Sequence, residues 1–184
     1  MTEMAKALLV DDRKDNLLAL EAILQGLPVQ SVAVESGEAA LKRLLVDDFA
    51  VILLDAQMPD MDGFETASHI KRRERTRHVP IIFLTAADRD AQLALRGYAV
   101  GAVDYLTKPF DPWVLRAKVS IFVDLWTKSR QLAAQSEAVR AREAQWRSLT
   151  EAVDAATAQL RSDDPSARER AVELLEQARW GTGA

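Results

Sequence analysis

A doubly wound α/β fold is the class this sequence predicts: a five-stranded parallel sheet with helices on both faces, followed by a long helical extension. Three observations predict it. Short apolar runs alternate with amphipathic stretches through the first two thirds of the chain. Several of those runs are continuously apolar, the pattern of strands buried on both faces. No glycine and no further proline falls between Pro112 and Pro165, which permits one uninterrupted helix.

The elements follow in order. Ala5 to Val10 is apolar apart from Lys6 and stops at Asp11 and Asp12. Asn16 to Leu27 has helical spacing, with Leu17, Leu20, Leu24 and Leu27 on one face, closed by Gly26 and Pro28. Val29 to Val34 alternates and reads as a strand. Ser36 is the N-cap of the next helix, whose buried face is expected at Ala39, Ala40, Leu44 and Leu45. Ala50 to Leu54 is a second apolar strand, ending in Asp55. Met58 to Gly63 is a loop marked by Pro59 and Asp62-Gly63, and Phe64 to Arg73 is a helix. Pro80 to Leu84 is a strand ending in Thr85, and Asp88 to Tyr98 is a helix stopped near Gly101. Val103 to Leu106 is a short strand followed by Lys108-Pro109-Phe110, and the last helix starts near Asp111-Pro112. Right-handed crossovers then leave a doubly wound sheet, whose ligands bind beyond the carboxyl ends of the strands.

Composition excludes several classes. The chain of 184 residues has no cysteine, which rules out disulfides, thiolate metal sites and cysteine nucleophiles. Its net charge is −4 with both signs interspersed, without the basic stripe of a nucleic-acid binder. The apolar run at the N-terminus is too short for a signal peptide, and no stretch reaches the ~20 apolar residues of a membrane span. The expectation is a soluble cytoplasmic protein with neither nucleic acid nor membrane as partner.

The polar residues at the strand ends define the candidate site. Asp11 and Asp12 follow the first strand, Asp55 the third, Thr85 the fourth and Lys108 the fifth. Three converging carboxylates repel one another and call for a hard cation such as Mg2+. A carboxylate beside such an ion can act as a nucleophile toward phosphorus, with the Thr85 hydroxyl and Lys108 ammonium stabilising the transferred group.

The segments LLVDDR, VILLDAQMPDMDGFE, PIIFLTA and DYLTKPF, in that order and spacing, resemble the receiver domain of two-component response regulators over residues 5 to 125. The resemblance implies a flavodoxin-like strand order of 2-1-3-4-5. It implies that Asp55 is the phosphoacceptor. Asp11, Asp12, Asp55 and the backbone carbonyl of Gln57 would bind Mg2+. Thr85 and Lys108 would stabilise the phosphoryl group, and Thr85 and Tyr105 would form the switch pair. Lys108 would precede a cis Pro109. The phosphodonor would be a sensor histidine kinase or phosphotransfer protein. The chain would then divide into a receiver domain at 1–125, a long helix at 126–161 and a short terminal helix and tail at 162–184.

Taken singly, these residues have plainer readings. Asp-Asp after a strand is commonly a helix cap, and Asp12 or Asp15 suits the first helix. A threonine at a strand end is usually structural, and an aromatic in a short strand is often core, which is the alternative for Tyr105. Asp60 and Asp62 are read as turn residues. The joint placement at four strand ends is what favours the site.

In the last third, Leu125, Leu132, Val139, Trp146, Val153 and Leu160 recur every seventh residue. The companion row, Phe122, Ser129, Ser136, Glu143, Thr150 and Thr157, is mostly polar. One apolar row with a polar companion suggests a weak coiled coil and a homodimer; a helix packing on its own receiver is the alternative. Pro165, capped by Asp164, starts a final helix with Ala167, Ala171, Leu174, Leu175 and Ala178 on one face and Gly181 at its end. This third lacks histidine, so it is no phosphotransfer domain. Two functions follow: a response regulator acting through protein contacts and without enzymatic output, or the receiver and linker of a larger signalling enzyme.

Overall fold

The computed structural model describes residues 4–86, 102–161 and 166–180. The order is β1 (Ala5–Val10), α1 (Lys14–Leu24), β2 (Val29–Val34), α2 (Gly37–Val46), β3 (Val51–Asp55), α3 (Gly63–Arg72), β4 (Ile81–Ala86), β5 (Asp104–Lys108), α4 (Pro112–Leu160) and α5 (Ala167–Trp180). The helix expected at Asp88 to Tyr98 lies outside the described residues. The chain forms two compact units, Met1–Lys128 and Ser129–Ala184.

In the first unit the strands make one sheet, ordered β2-β1-β3-β4-β5 and parallel at every junction. The two-residue period of a strand sends alternate side chains to opposite faces. Leu8, Ile52, Leu54, Ile81 and Phe83 therefore meet Ala40, Leu44, Phe64 and Ile70 from α2 and α3. Leu9, Leu53, Ile82 and Leu84 meet Leu17, Leu20 and Leu24 of α1, and Leu115, Val119 and Val123 of α4. Every residue of β3 is buried, which explains its unbroken apolar run.

Local chemistry sets the element ends. Ser36 caps α2, its hydroxyl accepting from the Ala39 N–H at 3.2 Å. Gly26, at φ +84, turns the chain out of α1 as only glycine does without strain. Asp111 opens α4, its carboxylate accepting from the Trp113 N–H at 2.8 Å. The Arg116 guanidinium on α4 donates to the carbonyls of Ile23 and Gln25, the latter at 2.7 Å, and so satisfies the open end of α1.

Three local expectations change. The buried face of α2 is Ala40, Leu41 and Leu44, while Leu45 is exposed. A further 100° per residue carries Leu45 past the stripe that Leu41 and Leu44 share. The N-cap of α1 is Arg13 without a side-chain cap, so neither Asp12 nor Asp15 fills that role. β5 extends to Lys108, because its ladder with β4 continues through Thr85 with Thr107 and Ala86 with Lys108.

In the second unit, a side-chain contact joins the end of α4 to the start of α5. Ala156 on α4 and Ala167 and Ala171 on α5 are buried, and the Arg170 guanidinium donates to the Gln159 carbonyl oxygen at 3.2 Å. Among the described residues, no helix is long and apolar enough to cross a membrane.

The core argument gives a stability prediction. Leu8→Ala removes a fully buried side chain from β1 and should cost about 2–5 kcal/mol in urea unfolding, with the denaturant slope unchanged.

Candidate functional site

Parallel strands end at one edge, and the register fixes what meets there. Val10 pairs with Leu54, so Asp11 is level with Asp55. Asp55 pairs with Leu84, which places Thr85 one residue further along β4. Ala86 pairs with Lys108, the last residue of β5.

Asp11 is 0% exposed and Asp55 7%. The Lys108 ammonium bridges them, donating to Asp11 Oδ2 at 2.9 Å and Asp55 Oδ2 at 3.0 Å. Asp11 also accepts from the Asn16 carboxamide at 2.8 and 3.0 Å and from the Arg13 N–H at 3.0 Å. The Gln57 N–H donates to Asp55 Oδ1 at 3.3 Å. Asp12 is exposed, yet one carboxylate oxygen each from Asp11, Asp12 and Asp55 lie within 4.8 Å of one another.

Three carboxylates against one ammonium leave an uncompensated negative charge. Oxygen donors at that spacing, one of them open to solvent, fit a hard divalent cation that keeps part of its water shell. Burial pushes the Asp55 carboxyl up, and the Lys108 and Gln57 bonds only partly oppose it. Burial also works on Asp11, but the bonds from Lys108, Arg13 and Asn16 outweigh it and hold that carboxyl below its ordinary value. Burial would lower Lys108, but its two carboxylate partners raise it, so it stays charged.

The remaining expected residues are placed as follows. Thr85 is buried and its hydroxyl donates to the Ala86 carbonyl at 3.1 Å. Tyr105 is 43% exposed, so its ring is no core residue. Lys108 precedes a cis Pro109. Asp60 adopts φ 63, and Asp62 caps α3 by accepting from the Glu65 N–H at 2.7 Å, so both act in the turn.

Two contributors escaped the sequence reading. Asn16, in the first turn of α1, orients Asp11; a carboxamide five residues past an acid is the only signal, and it is weak. Gly63 lets α3 start against the site, since a Cβ there would lie 2.1 Å from the Asp55 carbonyl oxygen. The Asp-Gly turn signal pointed to Gly63 as a loop residue but not to this approach.

Comparison with known proteins agrees with this geometry. A family model described as the response regulator receiver domain matches residues 7–120. The response regulator PleD of Caulobacter vibrioides is 38% identical over 115 residues, covering 62% of this chain and 25% of that protein. The sensor histidine kinase GacS of Pseudomonas protegens is 38% identical over 108 residues, covering 56% and 12%. The chain thus spans a quarter or less of the length of these two relatives. The chemotaxis protein CheY4 of Vibrio cholerae superposes with a TM-score of 0.61 at 30% identity, covering 65% of this chain and 99% of that one.

The charge balance predicts opposite effects for two neighbouring carboxylates. A raised folded-state pKa means the ionised Asp55 opposes folding once pH rises through that value, so Asp55→Asn should stabilise the metal-free protein at pH 7 by about 1 kcal/mol. A depressed pKa means Asp11 supports folding above its unfolded-state value and loses that support as pH falls through its folded value. Asp11→Ala should therefore destabilise by about 1–3 kcal/mol at pH 7, an effect that shrinks below pH ~4. Thermal unfolding in EDTA across this pH range checks both signs.

Proposed function

The chain belongs to the response regulator receiver family, and from that premise we propose that it accepts a phosphoryl group on Asp55 and signals through protein contacts made by its helical extension. The observation that carries this is the Lys108 bridge: a buried carboxylate at a strand end, held by an ammonium ion beside two further acids.

The chemistry runs on positioning and charge. An Asp55 carboxylate oxygen attacks the phosphorus of a phosphohistidine on a sensor kinase or phosphotransfer protein. The O–P bond forms as the N–P bond breaks, and the bonding pair leaves with the imidazole, which takes up a proton. Lys108 balances charge on the transferred group as its contact shifts from the carboxylate to a phosphoryl oxygen. Asp11, Asp12, Asp55 and the Gln57 carbonyl would hold Mg2+, which supplies Lewis-acid polarisation of the phosphoryl oxygens. Beyond its own phosphorylation and dephosphorylation, the receiver catalyses nothing in this reading.

The Thr85 hydroxyl, which donates to Ala86, is free to rotate toward a phosphoryl oxygen. Its movement would open space for the exposed Tyr105 ring on the neighbouring strand, making Thr85 and Tyr105 the switch pair. The receiver is assigned to residues 1–125, the long helix to 126–161 and the terminal helix and tail to 162–184. The extension is assigned to homodimerisation. Leu125, Leu132, Val139, Trp146, Val153 and Leu160 are all exposed along α4, where a partner helix would cover them. A neutral-to-acidic protein with interspersed charge suits a protein partner rather than DNA, and a cytoplasmic location.

A second reading is favoured by the length of the relatives: in PleD and GacS the matched segment is a small part of a longer protein. On that reading α4 is a signalling linker to an enzymatic output domain.

Two experiments test the main proposal. Acetyl phosphate with Mg2+ should label the wild-type protein on Asp55; Asp55→Asn should carry no label, and persistent labelling would refute the assignment. Leu132→Asp with Val139→Asp should convert a dimer to a monomer in sedimentation; an unchanged mass would count against dimerisation through α4.

A further inference from the structure

Asp11 is fully buried, and among the described residues three donors fix its carboxylate. Oδ1 accepts from the Arg13 N–H at 3.0 Å, and Oδ2 from the Lys108 ammonium at 2.9 Å. The third donor differs in kind. The Asn16 carboxamide nitrogen lies 2.8 Å from Oδ1 and 3.0 Å from Oδ2, so one group reaches both oxygens.

Near-equal distances place that nitrogen close to the bisector of the carboxylate, in front of the notch between its two oxygens. A cation chelated by both oxygens of one carboxylate would need the same place. The orientation of the amide is dictated as well, since the Asn16 carbonyl oxygen turned toward the acid would set acceptor against acceptor. The mounting is firm. The Asn16 N–H donates to the Arg13 carbonyl at 3.1 Å, and the neighbouring Leu17 is buried in the core. One turn of chain thus presents both the Arg13 N–H and the Asn16 amide to Asp11.

The other two acids are held less closely. Asp12 is exposed. Asp55 accepts at one oxygen from each donor, Oδ1 from the Gln57 N–H at 3.3 Å and Oδ2 from Lys108 at 3.0 Å. With its notch filled, Asp11 offers a cation one oxygen and not two. That limit weighs differently on two hard cations. Mg2+ takes about six oxygens in a tight octahedron and is satisfied by single carboxylate oxygens and water. Ca2+ takes about six to eight and commonly draws both oxygens of a carboxylate.

We propose that Asn16 is a positioning residue that restricts Asp11 to one-oxygen coordination and so biases the acid cluster toward Mg2+ over Ca2+. This rests on the metal reading above and adds what sets its selectivity. Asn16 touches neither the ion nor the phosphoryl group; it acts through Asp11, as donors behind metal ligands do.

Isothermal titration calorimetry of the full chain with MgCl2 and, separately, CaCl2 tests this. Asn16→Leu keeps a side chain of similar size and removes the donor. Its Mg2+ affinity should fall about tenfold, the usual effect of losing a donor behind a ligand. Ca2+ affinity should hold or rise, so the ratio of the two affinities should fall about tenfold or more. A donor that only stabilised the fold would leave that ratio unchanged. Asn16→Ala should shift it in the same direction and serves where leucine disturbs α1; circular dichroism should match wild type for the variant used. Asp12→Asn, which removes an acid from the cluster, should weaken both cations. If the wild type binds Mg2+ and Asp12→Asn weakens it, yet the Asn16 variants keep the wild-type ratio, the role of Asn16 is overturned and the metal reading stands. If the wild type binds neither cation, or Asp12→Asn leaves both affinities unchanged, the metal reading fails and the role of Asn16 with it.

Discussion

The ammonium of Lys108 between Asp11 and Asp55 is the contact on which the rest of the site depends. A buried carboxylate is unfavourable unless paired, and this site buries two with a third beside them. The parallel sheet makes the crowding unavoidable, because parallel strands end together and the register sets Asp11, Asp55 and Lys108 at one level. The sheet concentrates like charge, and a single lysine offsets only part of it. That residual charge disposes the site toward a divalent cation and an incoming phosphoryl group.

The surroundings hold this arrangement rigid without contributing chemistry of their own. Asn16 and the Arg13 N–H fix the Asp11 carboxylate from α1, while Gly63 lets α3 begin directly against the Asp55 carbonyl. Asp62, which the motif places beside the acids, is occupied as a helix cap. Nearness in sequence to the acidic cluster is therefore a poor guide to membership in it. Strand register is a good one.

α4 serves two environments along one continuous helix. Its opening turns bury Leu115, Val119 and Val123 against the sheet, and Arg116 clasps the end of α1. Farther along, Leu132, Val139, Trp146, Val153 and Leu160 are exposed.

The order of elements, the five parallel strands and the strand-end acids were legible in the sequence. A strand buried on both faces must be apolar throughout, and its first polar residue marks the edge. The long helix was legible for a similar reason, since nothing between Pro112 and Pro165 breaks one. The sequence could not show that Leu45 faces solvent, that β5 runs on to Lys108, or that Asp11 is held by Asn16. Each depends on which neighbour lies across a ladder or a helix groove, and such neighbours are distant in the chain.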